Sequence, residues 1–368
     1  MHKKTSVIIL IILILLLLGG SGCQVQRQTY AALNQLMAQT FAADGPGVTL
    51  LVDNPAVGEH ILAIGLADLE KGKAIKSKSH LRIGDMTKSF VSTLVFQLVE
   101  EGKITLDDTL GQHFAAEIIQ GIPYSDQITI RQLLNMSSGI YDYRKNPAFI
   151  IAITADPMAK WQPAALLAFV YGQEPVQPPG TGFAYSNTNY ILLHLLIEQK
   201  MDDILAENLR DRILDKLTLD DTYLEISEDI AVGYVAGYAD LDGDGAYDNT
   251  LSLGDARGLG DMGLISNVLN LAEFMPALYA RTFTGENGRA ASLSTIPMGN
   301  GDEYGLGIMR RDTPWGPMWG HDNQQPGFAG QMWYLPDHET TIVVLSNGIE
   351  KDKLAEFVLD VLAVVINE

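Results

Sequence analysis

The sequence predicts an α/β (α+β) fold in which an antiparallel sheet, built from both chain ends and flanked by helices, carries an inserted helical lobe. Apolar strand patterns bounded by turn residues occur near both ends of the 368-residue chain. The stretch between them, about 105–224, has a helical and loop-rich pattern without convincing hairpins. Because such an order favours one sheet shared by both ends, we expect a cleft between the sheet and the lobe.

The individual elements follow from apolar spacing and turn residues. Residues 24–45 are predicted as a short tether and a first amphipathic helix, and residues 46–368 as one domain that contains the lobe. Strand patterns occupy residues 47–52 and 60–67 and, near the C-terminus, 305–309, 330–335 and 340–346. Helical patterns occupy residues 87–101, 269–279 and 351–366.

The composition is that of an acidic globular protein. Hydrophobic residues make up 47% and charged residues 19% of the chain, which is enough apolar material for a sizeable core. The net charge of -20, without a cluster of Lys and Arg, excludes nucleic acid as a partner. The single cysteine excludes a disulfide within the chain, and the seven histidines do not show the spacing of zinc ligands.

The first 23 residues have the layout of an export signal. Two lysines precede an unbroken apolar run over residues 7–18, which is too short for a typical membrane-spanning helix. Small residues then lead to Cys23, and this pattern resembles a lipoprotein signal in which the cysteine is acylated and becomes the mature N-terminus. An uncleaved N-terminal anchor is the alternative. Both interpretations predict an exported cell-envelope protein that is held on a membrane and faces the periplasm or the exterior.

Three short segments carry polar groups at the spacing of a catalytic site. The first reads RIGDMTKSF and opens a helix, so that Asp85 and Lys88 lie one turn apart on the same face. The second reads PGTGFAYSNTNY and contains Tyr185 and Asn187. The third reads GHDNQQPGF and contains His321.

Together these segments resemble the serine β-lactamase and D-Ala-D-Ala carboxypeptidase superfamily, the penicillin-binding fold, and particularly its class C and esterase-like branch. That family carries Ser-x-x-Lys, then Tyr-x-Asn, then Lys-Thr-Gly or His-x-Gly, in this order. The resemblance covers residues 45–366 and includes the stretch ITIRQLLNMSSGI. It implies a hydrolase-type cleft for a D-Ala-type peptide, a β-lactam or a small ester, with the third motif on an edge strand.

The resemblance also implies a role for each matching residue. Lys88 corresponds to the base that accepts the nucleophile's proton, and Tyr185 to the relay that passes it to the leaving group. Asn187 and His321 correspond to substrate contacts. A backbone N–H near Gln324 would complete the oxyanion hole. This chemistry requires no cofactor.

Two residues depart from the family pattern. Asp85 stands where the nucleophilic serine is expected, and Asn323 replaces the glycine of His-x-Gly, which disfavours close approach of a substrate. A carboxylate is a poor nucleophile toward an amide carbonyl, and its charge favours a protonated Lys88 that is weakened as a base. Thr87 and Ser89 do not share the required helical face, so neither replaces the missing hydroxyl.

The sequence leaves three hypotheses about function open. In the first, Asp85 and Lys88 form a structural ion pair, and the protein is a non-catalytic relative that binds cell-wall peptide or a partner. In the second, Asp85 performs altered chemistry, as an acid or base or as a nucleophile at saturated carbon. In the third, an active serine enzyme has been altered at this one position. The expected ligand is a small molecule or a peptidoglycan-type peptide.

A Gly/Asp loop resembles the first part of an EF-hand calcium loop. Asp240, Asp242, Asp244 and Asp248 fall at the first, third, fifth and ninth positions, with a glycine at the sixth. The Ala246 carbonyl would serve at the seventh position, but the glutamate of the last position is missing. The pattern therefore predicts either a structural calcium site or a solvated acidic turn.

Overall fold

The computed structural model describes residues 24–157, 159–228, 234–253, 258–280, 282–283 and 285–366. The predicted signal and Cys23 lie outside the described residues. Helical structure begins at the first described residue, since helix α1 spans 24–40. No described helix combines the length and the apolarity that crossing a membrane requires.

Among the described residues, strands are concentrated near both chain ends and a run of helices lies between them. The strands are β1 (Val48–Asn54), β2 (Gly58–Ile64), β3 (Leu66–Asp68), β4 (Lys73–Ala74), β5 (Leu81–Arg82), β6 (Tyr223–Leu224), β7 (Tyr238–Ala239), β8 (Asp248–Asn249), β9 (Leu264–Ser266), β10 (Ile296–Pro297), β11 (Glu303–Tyr304), β12 (Met309–Thr313), β13 (Gly316–Gln325), β14 (Phe328–Leu335) and β15 (Thr340–Ser346). The helices after α1 are α2 (Thr87–Glu100), α3 (Leu110–His113), α4 (Ala116–Ile119), α5 (Ile130–Leu134), α6 (Pro147–Ala155), α7 (Pro163–Leu166), α8 (Thr188–Met201), α9 (Leu205–Leu209), α10 (Val268–Ala280), α11 (Glu286–Ser292) and α12 (Lys351–Ile366).

One eight-stranded antiparallel sheet unites the two chain ends, as predicted. Its order is β10-β11-β12-β13-β14-β15-β1-β2. Val48 in β1 lies opposite Ile64 of β2 on one side and opposite Ser346 of β15 on the other. The helices α3 to α9 all fall within the predicted lobe, and they separate the N-terminal strands from the C-terminal ones.

Helix α2 is the buried centre of the molecule. Every residue of α2 from Thr87 to Leu98 is buried, so neither face of this helix is left to solvent. Phe90 of α2 stacks on Phe274 of α10, with ring centroids 3.7 Å apart. Because packing surrounds α2 on all sides, the direction of each of its side chains is fixed.

Two neighbouring strands, β12 and β13, differ from the sequence-based expectation. The predicted strand over 305–309 begins at Met309 instead, because Gly307 adopts a φ of +80° that interrupts an extended chain. The apolar pattern did not predict β13, since Gly, Pro, Asp and Asn give it little strand propensity, and only the family resemblance implied a strand at the third motif. β13 is not the simple edge strand that the resemblance implied. β12 covers it up to Gly320, and from His321 onward the β12 register no longer continues.

A buried asparagine at the end of β15 joins three parts of the fold. The Asn347 side chain is fully buried, and its Oδ1 accepts a hydrogen bond from the Gly47 N–H. Its Nδ2 donates to the carbonyl oxygens of Ala236, at 2.7 Å, and Leu66, at 3.1 Å. This one amide therefore connects the C-terminal end of β15 to backbone groups of the N-terminal strands and of the loop before β7.

We expect Asn347→Ala to destabilise the protein by roughly 1 to 3 kcal/mol, because it removes the buried hydrogen bond to the Ala236 carbonyl oxygen and weakens the contacts with Gly47 and Leu66. Urea denaturation followed by circular dichroism measures this change. The exposed Asn249 is the matched control, and Asn249→Ala should change stability by about 0.5 kcal/mol or less. Equal effects of the two substitutions would contradict this account of Asn347.

Candidate active site

The site begins at a single 3-10 turn, Gly84–Met86, which leads directly into α2. Gly84 has a φ of +46°, and a Cβ at this position would lie 2.0 Å from Asn323 Oδ1. Likewise, a Cβ on Gly330 of β14 would lie 2.3 Å from Met86 Cε. The two glycines therefore allow the turn to pack directly on β13 and β14.

Lys88 lies beneath this turn with no solvent exposure. Its Nζ donates to Asp85 Oδ1 at 2.6 Å, to Asn187 Oδ1 at 2.9 Å and to the Asp261 carbonyl oxygen at 2.8 Å. An ammonium has three N–H donors, and here each has an acceptor. The arrangement therefore suits a protonated lysine and leaves no lone pair to take up a proton.

The Asp85 carboxylate is the group that Lys88 and Tyr185 share. Its Oδ1 accepts the Lys88 bond and a second bond of 2.5 Å from the Tyr185 hydroxyl. Burial alone would raise the pKa of Asp85, but the charge and hydrogen bond of Lys88, with the bond from Tyr185, hold this pKa below its ordinary value. Burial and the Asp85 charge raise the pKa of Tyr185 well above 10.0, so its hydroxyl keeps its proton.

Two further carboxylates lie behind Lys88, and sequence analysis missed both. Asn187 Nδ2 donates to Asp142 Oδ2 at 3.2 Å. The hydroxyl of Tyr143 donates to Asp261 Oδ2 at 2.8 Å. Burial raises the pKa of Asp142 and that of Asp261, so both carboxyls favour the neutral form more than a solvated aspartate does.

His321 is buried on β13 with both ring nitrogens engaged. Its Nδ1 lies 2.7 Å from the Asp322 carbonyl oxygen, which only accepts, so Nδ1 carries the proton. Its Nε2 then accepts the bond of 3.0 Å from the Tyr304 hydroxyl. Burial lowers the pKa of His321, which favours the neutral ring. The imidazole is thus a fixed wall of the site.

The cleft above these groups has a volume of about 360 Å³. Four predicted site residues line it: Asp85, Tyr185, His321 and Gln324. The other two, Lys88 and Asn187, lie buried below the cleft floor, where Asn187 holds Lys88 in place. Gln324 is exposed, and its Oε1 accepts a hydrogen bond from the Lys351 backbone N–H at 2.7 Å.

The cleft walls also carry residues to which the sequence analysis assigned no role: Phe183, Met298, Asn300, Tyr304, Met309, Arg311, Asp322, Gln331, Lys351, Asp352 and Ala355. Arg311 makes two bonds to the Asp302 carboxylate, at 2.9 and 2.8 Å, and stands 4.8 Å from the Trp333 ring centre. The carboxylate of Asp322 lies 3.5 Å from Arg311 and 3.8 Å from Lys351. The cleft therefore presents both positively and negatively charged side chains to a ligand.

Thr87 and Ser89 are turned away from the cleft, as the helical spacing predicts. The Thr87 hydroxyl accepts a hydrogen bond from the Leu264 N–H, and the Ser89 hydroxyl donates to the Gly307 carbonyl oxygen. Both residues are fully buried. Neither hydroxyl is placed to replace a nucleophile at residue 85.

The acidic loop lies apart from Lys88 and is exposed. The carboxylates of Asp240, Asp242 and Asp244 each offer an oxygen within 4.8 Å of the others. Both Asp240 oxygens accept loop N–H groups, and Asp248 accepts the N–H of residue 241. Ala246 is exposed in the same loop. Such bonds form in an acidic turn with or without an ion, so calcium binding stays a prediction.

Comparison with known proteins agrees with this architecture. The chain matches the β-lactamase family over residues 33–364. Penicillin-binding protein 4* of Bacillus subtilis is 25% identical over 81% of this chain and 67% of its own length. A D-aminopeptidase of Brucella anthropi is 26% identical over 84% of this chain, which spans only 57% of that relative.

Solved structures show the same fold. A D-stereospecific amidohydrolase from Streptomyces sp. superposes with a TM-score of 0.81 at 23% identity, covering 92% of this chain and 99% of its own. A penicillin-binding protein from Bacillus halodurans superposes with a TM-score of 0.76 at 21% identity, covering 88% of this chain and 98% of its own. With the family match extending over nearly the whole domain, this chain belongs to the β-lactamase family of penicillin-binding serine hydrolases.

Proposed function

We propose that the cleft binds peptide, β-lactam or ester ligands of the family type, and that Asp85, at the position of the nucleophilic serine, impairs their hydrolysis. The observation that carries this proposal is the coordination of Lys88. All three of its N–H donors are used, one of them by Asp85. A lysine held in this state is a poor general base.

The chemistry of a carboxylate supports the same conclusion. Attack of Asp85 on an amide carbonyl would give a mixed anhydride, which is less stable than the amide that it replaces. The contact with Lys88 also holds the pKa of Asp85 below its ordinary value, which stabilises the anion and weakens it further as a nucleophile. The protein is accordingly proposed to retain ligand binding while losing serine-type turnover, as a non-catalytic cell-wall or partner-binding relative.

The relatives suggest the chemical class of the ligand. Their names refer to penicillin binding, to D-aminopeptidase activity and to D-stereospecific amide hydrolysis. Two of these names specify the D configuration, so the proposed ligand is a peptide that contains D-amino acids, and the charges of Arg311, Asp322 and Lys351 suit the polar groups of such a peptide. With the predicted acylation of Cys23, we propose an envelope lipoprotein that meets cell-wall peptides at a membrane surface.

Altered chemistry at Asp85 is the second candidate, and one observation favours it. Both hydrogen bonds to Asp85 fall on Oδ1, while the side chain lines the cleft and retains 19% exposure. Oδ2 is therefore the carboxylate atom that a ligand in the cleft can approach. An acid or base role, or displacement at saturated carbon, would use this atom.

For the binding proposal, we expect the wild-type protein to form no covalent adduct with a fluorescent penicillin, as judged by intact mass. A peptide ending in D-Ala-D-Ala should still release heat on titration. Ala355→Trp, which fills the cleft, should abolish that heat, whereas Asp360→Trp on the exposed face of α12 should leave it unchanged. A penicillin adduct, or no heat with the wild-type protein, would contradict the proposal.

The ion pair between Asp85 and Lys88 predicts that the stability of the fold depends on pH. A carboxylate with a lowered pKa stabilises the fold above its ordinary value of 3.8, and this contribution is lost as the pH falls through the lowered pKa. We therefore expect Asp85→Asn to cost about 1 to 3 kcal/mol at pH 7 and progressively less below about pH 4. Thermal melts over this pH range measure the difference.

Asp312→Asn is the matched control for that measurement. Asp312 pairs with Arg310 at the surface with 69% of its side chain exposed, so solvent screens its charge. Loss of this surface ion pair should change the free energy of unfolding by less than about 1 kcal/mol at any pH. A stability difference for Asp85→Asn that stays constant from pH 7 to about pH 3 would show that the ion pair is not its source.

If Asp85 instead performs altered chemistry, turnover of a small ester or an activated alkyl substrate should depend on its carboxylate. Asp85→Asn would then reduce the rate by about 100-fold or more, while Asp312→Asn would leave it unchanged. Product release measured by absorbance decides this. Turnover that survives Asp85→Asn would exclude Asp85 as the reacting group.

A further inference from the structure

We propose that Asn323 is a second block on acyl transfer, because its side-chain oxygen occupies the place where the N–H of residue 85 would polarise a substrate carbonyl. The inference rests on the proposed function, in which the cleft keeps the geometry of a hydrolase. Asn323 is thus a specificity-determining residue. It disfavours ligands whose carbonyl oxygen must accept a hydrogen bond from the N–H of residue 85.

The contact itself is direct. The Asp85 backbone N–H donates to Asn323 Oδ1 at 3.0 Å. This N–H belongs to the turn at the N-terminal end of α2, where backbone donors point out of the helix and favour negative charge. In acyl transfer such a donor stabilises the oxygen of the tetrahedral intermediate. Here a neutral amide oxygen of the protein already uses it.

The orientation of the Asn323 amide is fixed from its other end. Its Nδ2 donates to the Phe328 carbonyl oxygen at 3.4 Å, across the hairpin between β13 and β14. Rotation of the amide by half a turn would place Nδ2 against the Asp85 N–H and Oδ1 against a carbonyl. Since Asn323 is fully buried, that arrangement would leave unpaired groups away from water.

No space separates the amide from the turn. A Cβ on Gly84 would lie 2.0 Å from Asn323 Oδ1 and 2.6 Å from its Cγ, so the amide lies flush against the backbone. A substrate oxygen cannot enter between them unless the Asn323 side chain leaves. Displacement of the Asn323 side chain would break both hydrogen bonds of a buried amide, and a typical ligand contact does not compensate for that loss.

The position of Asn323 on β13 explains why a smaller residue would open the site. Its neighbours His321, Asp322 and Gln324 all line the cleft, as does Asp85. Removal of the amide would therefore connect the N–H of residue 85 to the same cleft. If a serine replaced Asp85 while Asn323 stayed in place, its hydroxyl would face a substrate carbonyl. That carbonyl would receive no hydrogen bond from the N–H of residue 85, because Asn323 already accepts it.

The test compares Asp85→Ser, Asn323→Gly and the double variant with a fluorescent penicillin and a p-nitrophenyl ester. In the double variant, the introduced hydroxyl would bond to the lactam carbonyl carbon, the C–N bond would break, and the hydroxyl proton would pass to the ring nitrogen. We expect acylation of the double variant at least about 100-fold faster than that of Asp85→Ser, with no acylation of Asn323→Gly.

Two controls make the comparison specific. Gln325 lies two residues along β13 and is buried on the same face, so Asp85→Ser/Gln325→Ala should react like Asp85→Ser. Asp85→Ser/Asn323→Ala replaces the glycine variant if thermal melting shows that the latter is unfolded at the assay temperature. Phenylboronic acid, which bonds to a serine hydroxyl and fills an oxyanion pocket, should bind the double variant about 100-fold more tightly than Asp85→Ser.

The outcomes separate this inference from the proposed function. Asp85→Ser acylated as fast as the folded double variant would overturn the role of Asn323 and leave the role of Asp85 intact. A folded double variant that stays as slow as Asp85→Ser would overturn it as well. Acylation of the wild-type protein would instead refute the proposed function.

Discussion

The requirement to satisfy one buried ammonium organises the interior of this protein. Lys88 has no exposed surface, and an unpaired charge in such a place costs several kcal/mol. Its three acceptors come from the turn before α2, from the residue that precedes α8 and from the segment before β9. The turn before α2, the helical lobe and the segment before β9 therefore meet at a single nitrogen, and a shift of any one of them would leave an N–H without a partner.

The same cation divides the neighbouring carboxyl groups into two kinds. Asp85 touches the ammonium, and its pKa is lowered. Asp142 and Asp261 lie one contact further away, through an amide and through a backbone carbonyl, and burial raises the pKa of each. The distribution follows from desolvation, because a buried carboxylate needs a cation in contact to remain charged. A functional reading of the site must therefore assign the negative charge to Asp85.

The fold could be predicted from the sequence because the patterns that indicate its helices and strands involve residues close together in the chain. The apolar spacing that predicts α2 and the strands at both ends is a property of neighbouring residues, and the three motifs carry six site positions with them. The apolar pattern missed β13, where only the family resemblance implied a strand, because its Gly, Pro and Asn residues disfavour an extended chain and pairing with β12 and β14 stabilises it. Asp142 and Asp261 were not identified from the sequence, for a different reason. Their partners Asn187 and Tyr143 lie 45 and 118 residues away, and no local pattern marks such contacts.

The pairing of β1 with β15 has a consequence for how the chain reaches its folded state. Val48 and Ser346 are partners on adjacent interior strands of the sheet, although nearly the whole domain lies between them in sequence. Closing so long a loop carries an entropic cost before any contact compensates it, and such topologies fold slowly. During synthesis β1 can pair with β2 at once, but its other edge has no partner until β15 has been made. The local helices of the lobe need no such delay. The first strand that is made is thus among the last to obtain both of its neighbours.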